Sequence, residues 1–124
     1  MQVPSFMARK FYVAGSLRNT PGGFSLQAQN PLGGGTLVGV GALSVDGRPI
    51  PLEAVSALRE GESEAIRAAD LSRFHPIKVA VGDRVTLEVS GERLAGGEHK
   101  LVVELFELNL GALRFSISDR LAEA

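Results

Sequence analysis

From Arg84 to Ser90 the chain alternates, with Val85, Leu87 and Val89 on one face and Arg84, Thr86, Glu88 and Ser90 on the other. Successive side chains of a strand point to opposite faces, so this period of two predicts a strand with one wet face. Ile77, Val79 and Val81 repeat the alternation just before it. Phe24, Leu26 and Ala28 alternate with Ser25, Gln27 and Gln29, and Leu113, Phe115 and Ile117 with Arg114, Ser116 and Ser118. Three further segments read as strands. Phe11 to Ala14 is short and aromatic, and its Tyr12, out of phase with Phe11 and Val13, is expected to point outward. Thr36 to Val45 is apolar on both faces and is expected to be covered on both. Within it Gly39 and Gly41 lie two apart, as close packing of another element would require. Leu101 to Leu108 starts with Leu101, Val103 and Leu105 inward, and then its phase slips at Phe106 and Leu108. A bulge near Leu105 would return both to the core. Without one, Val102, Phe106 and Leu108 form an outer apolar stripe in need of cover.

The punctuation agrees with strands. Asp46-Gly47 between apolar runs predicts a type I′ hairpin turn. Further turns are expected at Thr20–Gly23, Ala80–Arg84 and Leu94–His99. Short strands at this spacing predict an all-β fold, an antiparallel sandwich of the immunoglobulin-like or jelly-roll-like kind, with residues 1–124 forming one domain. The expected core includes Phe24, Leu26, Val79, Val81, Val89, Leu101 and Phe115. One stretch departs from the alternation. Glu60 to Leu71, rich in Glu and Ala, predicts a short helical insert from about Glu62 to Asp70, which His75-Pro76 would not allow to continue. Met1–Met7 and Leu121–Ala124 are expected to be frayed tails.

Composition narrows the function by exclusion. With 124 residues, no cysteine, no tryptophan and a net charge of −1, the chain offers no disulfide framework, no thiolate chemistry and no basic surplus for nucleic acid. Charge is uneven, about +3 over residues 1–50 and about −4 over the rest, which in a compact domain says little. No apolar run approaches a membrane span, and the start MQVPSFMARK lacks the apolar stretch of a signal peptide, so a cytoplasmic location is expected.

Candidate chemistry is sparse. His75 and His99 are the only histidines; neither lies at metal-ligand spacing from a second ligand, so they read as loop and turn residues. Gly33-Gly34-Gly35-Thr36 lacks the Gly-Lys-Ser/Thr of a phosphate loop and leads into a strand. No serine stands in a nucleophile elbow, and Glu60, Glu62 and Glu64 read as a solvated run. No catalytic, metal or cofactor residue is assigned. The candidate interface residues are Tyr12, Val102, Phe106 and Leu108.

Val13-Ala14-Gly15-Ser16-Leu17-Arg18-Asn19-Thr20, Gly23-Phe24-Ser25-Leu26, Val45-Asp46-Gly47 and Gly97-Glu98-His99-Lys100 follow one another in an order that resembles the small β subunit of bacterial C-glycoside deglycosidases. The resemblance runs from about Phe11 to Asp119. It implies a β-sandwich that docks on a larger, metal-dependent barrel-type α subunit and shapes the mouth of its active site. There the α subunit cleaves the carbon–carbon bond of a 3-oxo-C-glycoside. It also implies an accessory subunit of a lyase without catalytic residues or cofactor of its own, partnered by the barrel subunit, by self-association or by both. The alternative is a stand-alone immunoglobulin-like module that binds or supports and catalyses nothing.

Overall fold

A computed structural model describes residues 3–31 and 33–121. A short helix, α1 (Ser5–Phe11), precedes ten strands. These are β1 (Arg18–Thr20), β2 (Gly23–Gln29), β3 (Gly35–Val45), β4 (Arg48–Pro49), β5 (Val55–Arg59), β6 (Ile66–Arg67), β7 (Ile77–Val79), β8 (Arg84–Ser90), β9 (Gly97–Glu107) and β10 (Gly111–Leu121). One sheet has the order β1-β2-β8-β5-β6. The other has β10-β9-β3, with β7 and β4 pairing with the two ends of β3. All pairings are antiparallel. The all-β sandwich expected from the alternation is therefore the observed architecture.

Register explains the core. Phe24 faces Val89, Leu26 faces Leu87 and Ala28 faces Val85 across β2 and β8. Leu101 faces Ile117, Val103 faces Phe115 and Leu105 faces Leu113 across β9 and β10. Apolar residues directly opposite one another stabilise both sheets, and the two inner faces close on one cluster. The hairpin at Asp46 (φ 52°) and Gly47 (φ 81°) has both central residues in the left-handed region, as a type I′ turn requires.

Several expectations fail, each for a local reason. Residues 62–70 form no α-helix: Ile66–Arg67 pairs with Ala57 and Ser56 of β5, and Ala68–Asp70 makes one turn of 3₁₀ helix. Helix propensity gives way to the burial of Ala68 and Leu71, whose spacing from Ile66 does not suit one helical face. Val81 is 63 % exposed, because β7 ends at Val79 and Val81 lies in the turn to β8. Part of the expected N-terminal tail is ordered. Val3 N–H donates to Arg114 O at 2.7 Å, and α1 lays Ala8 and Phe11 against the core, with Phe11 stacked on Phe115 at 6.1 Å between centroids. At the other end β10 continues to a buried Leu121, and residues 122–124 lie outside the described ones.

The phase slip on β9 also has a different origin. β9 pairs with β10 residue for residue over its whole length. The irregularities lie in its other neighbour: β3 shifts register between Leu37 and Gly39, and again between Val40 and Leu43. Phe106 stays on the outer face and covers the two β3 glycines. A Cβ on Gly39 would lie 3.0 Å from its ring, and one on Gly41 would lie 2.9 Å from it. Glu104 beside it accepts a hydrogen bond from Ala42 N–H at 3.3 Å, inside the second irregularity.

Candidate functional site

The four candidate interface residues do not form one surface. Tyr12 is 2 % exposed. Leaving α1, the chain pairs Tyr12 with Ala28, and Val13 N–H donates to Gln27 O at 3.0 Å. That turns the phenol toward β10, where it donates to Asp119 Oδ2. The outward Tyr12 expected from its phase is thus corrected: α1 ends at Phe11, so the period-two count does not start where an isolated strand would start it. Val102 and Phe106 are half-buried on the outer face of β9, and Leu108 is exposed in the turn after it.

Asp119 gathers the segment that follows Tyr12. Besides the phenol, it accepts the N–H groups of Gly15 (3.1 Å) and Leu17 (3.2 Å). Gly15 has φ 78°, which lets the chain turn back on the carboxylate. Burial first, and then the hydrogen bond to Asp119, holds the Tyr12 phenol well above its ordinary pKa of 10.0.

His99 is the second polar residue drawn inward. It lies on the inner face of β9 in line with Leu101 and Val103, and is 7 % exposed rather than a turn residue. Its Nδ1 is 2.6 Å from Asp46 Oδ2 and its Nε2 is 2.7 Å from Ala95 O. Both neighbours can only accept, so satisfying them requires a hydrogen on each ring nitrogen, the imidazolium form. The hydrogen bond to the Ala95 carbonyl, then that to Asp46, raises the His99 pKa above its ordinary 6.5. Asp46 is held low, first by the Lys100 amide at 2.9 Å and then by His99. The Val45-Asp46-Gly47 and Gly97-Glu98-His99-Lys100 segments are therefore one structural unit, a hairpin locked to the start of β9.

The sign of the pH effect follows from the raised pKa. The folded chain holds the His99 proton more tightly than the unfolded chain. The stability this adds is complete below pH 6.5 and is lost as pH rises through the folded-state value. Urea midpoints should fall between about pH 6 and 9, and His99→Gln should remove that decline. Equal slopes for the two proteins would refute the charged pair. His75, in contrast, is exposed in the Ser72–His75 turn.

Asp83 follows the same structural use. It accepts Ala80 N–H at 2.9 Å and the Arg59 guanidinium at 2.8 Å, which hold its carboxyl below the ordinary range. The Glu60, Glu62 and Glu64 side chains are exposed. Among the described residues, no three of His, Asp and Glu gather into a group that could hold a metal ion. None of the described helices is long and apolar enough to cross a membrane.

One end of the sandwich is open. Where β2 leads to β3, β7 turns into β8 and β9 turns into β10, a cavity of about 390 Å³ lies between the sheets. Its wall includes Ala28, Val85 and Leu87 of one sheet and Leu37, Leu105 and Leu113 of the other, and Gly33–Gly35, Thr36, Glu107 and Leu110 lie around it. Glu107 is fixed. Its Oε2 accepts Thr36 N–H at 2.9 Å, and its Oε1 accepts the N–H groups of Asn109 and Leu110, each at 2.8 Å. Burial pushes its pKa up, but these amides together outweigh that and leave it below the ordinary carboxylate value. The cavity is not legible in the sequence because its lining comes from α1, from strands β2, β3, β7, β8, β9 and β10 and from the turns between them, each unremarkable by itself.

No curated protein matches the chain. The family model of the hydroxymethylglutaryl-CoA reductase N-terminal domain matches residues 7–122. This match overturns the resemblance to the β subunit of C-glycoside deglycosidases, and with it the accessory-subunit function, the carbon–carbon lyase activity and the barrel-type partner. The segments on which that resemblance rested are the loop into β1, parts of β1 and β2, and the hairpin lock, all of which sandwich packing alone accounts for. The chain belongs to the family of the hydroxymethylglutaryl-CoA reductase N-terminal domain.

Proposed function

We propose that the chain is a non-catalytic β-sandwich module whose role is structural and binding. The observation that carries this reading is the use made of its polar side chains. Tyr12, Asp46, Asp83, His99, Glu107 and Asp119 are all turned onto backbone groups or onto one another. A catalytic acid, base or nucleophile must face the space that substrate occupies. Glu107, at the cavity, has both oxygens already accepting amides. The family name supports the reading as well, since it denotes an N-terminal domain of a reductase.

The test uses the purified chain with hydroxymethylglutaryl-CoA and either reduced nicotinamide cofactor. No cofactor consumption is expected, while urea denaturation of the same sample gives one cooperative transition. Cofactor consumption that is lost in Glu107→Gln or His99→Gln would overturn the proposal.

A further inference from the structure

We infer that the open end of the sandwich is a binding site for a neutral, largely apolar small molecule. This deepens the reading of the chain as a binding module and rests on it. Close-packed interiors leave few voids larger than a water molecule. Here about 390 Å³ remains between the sheets, within the roughly 300–1,000 Å³ of small-molecule pockets. A much smaller aliphatic cavity, about 150 Å³, already takes up benzene in another protein. Among the described residues, those that reach this space from β2 and the loop after it include the small Ala28, Gly33 and Gly34. Along β2 the inward residues go from Phe24 and Leu26 to Ala28 at this end. At Gly33 and Gly34 an added Cβ would meet no described residue within 4 Å.

The chemistry of the mouth selects the ligand. Glu107 is the one ionisable side chain among the described lining residues, and its oxygens are occupied by the Thr36, Asn109 and Leu110 amides. An anion would meet this fixed carboxylate, and a cation would lose water to a group whose lone pairs are already engaged. The amides of Gln29 and Asn30 are turned to the protein: Gln29 Nε2 donates to Lys10 O at 3.1 Å, and Asn30 Nδ2 donates to Val79 O at 3.0 Å. Gain on binding therefore comes from covering the aliphatic wall, which includes Leu105, left partly uncovered on the inner face of β9.

The probe is N-phenyl-1-naphthylamine, a neutral apolar fluorophore, titrated into the full chain. Saturable brightening with one site per chain is expected, reversed by decan-1-ol and not by decanedioate. Ala28→Leu, which fills the cavity, and Leu110→Glu, which puts a charge on a half-exposed residue at the mouth, should each weaken binding about tenfold or more. Phe74→Glu, at an aromatic residue 90 % exposed and outside the cavity lining, should leave it unchanged. Circular dichroism establishes that each variant is folded. No saturable signal from the folded chain, or binding that survives both cavity variants or is lost with Phe74→Glu, would overturn the inference. A folded, inactive chain that does not bind the probe sinks this inference alone. Cofactor consumption with hydroxymethylglutaryl-CoA sinks the non-catalytic reading and leaves the binding result standing.

Discussion

Alanine in place of Gly23 should cost about 3–5 kcal/mol of stability, a fall in Tm of about 10 °C or more, or prevent folding altogether. Gly23 opens β2 directly opposite Ser90, at the end of the β2–β8 ladder. A Cβ there would lie 1.9 Å from the Val89 carbonyl oxygen and 3.1 Å from the Gly91 amide nitrogen. These are main-chain atoms of the neighbouring segment and cannot rotate aside. The strands would have to separate where Phe24 and Val89 pack, next to the turn bond from Gly91 N–H to Gly22 O. Gly22 supplies the control, because an added Cβ there meets nothing within 4 Å. Gly22→Ala should remain near the parent in urea denaturation. If the two variants unfold at the same midpoint, the close approach at Gly23 is not a feature of the folded chain.

Asp119→Ala should cost about 3 kcal/mol or more, because it leaves a buried phenol and the amides of Gly15, Leu17 and Arg120 without their acceptor. Tyr12→Phe removes one donor and leaves Asp119 its amides, so it should cost only about 1 kcal/mol. The pair also has a pH signature. The folded chain keeps the Tyr12 proton where the unfolded chain sheds it, above pH 10.0. Stability from this source is complete below that pH and falls as pH rises beyond it. Urea midpoints measured from about pH 8 to 11 should drop more steeply for the parent than for Tyr12→Phe. Parallel curves would show that the phenol is not held protonated by burial and Asp119.

The strands were legible where one face is wet and the other buried. β8 is the clearest case: its alternation of exposed and buried residues, Arg84 to Ser90, is written in the residue types. The same local rule could not reveal α1, whose seven residues are too few to show a helical period. It misplaced Tyr12, because what decides that side chain is a carboxylate 107 positions away. It read residues 62–70 by propensity, and a two-residue pairing with β5 overrode that. His99 shows another limit. A histidine in phase with Leu101 and Val103 can be read as inward, but its charge depends on Asp46 and Ala95, which only the folded chain brings to its two nitrogens. Of the candidate interface, the phase of Phe106 left both the core and the outer face open, and its place over Gly39 and Gly41 needed the register of β3 against β9.

The two irregularities of β3 bear on how this strand can change length. Each places one extra β3 residue opposite β9, so the buried positions Leu37, Val40, Leu43 and Val45 are spaced by three, three and two. Removing one residue from either irregularity would take out the extra residue alone and bring the buried positions on its two sides two apart, so Leu37, Val40, Leu43 and Val45 would all keep facing inward. Removing one from the regular stretch between Leu43 and Val45 would instead reverse the facing of everything on one side of it. Removing one residue from each irregularity would leave an uninterrupted strand, although Glu104 would then lose the Ala42 amide it caps. The irregularities are therefore the places where β3 can change length by single residues, and lineages of this sandwich should gain or lose residues one at a time between Leu37 and Leu43 and not between Leu43 and Val45.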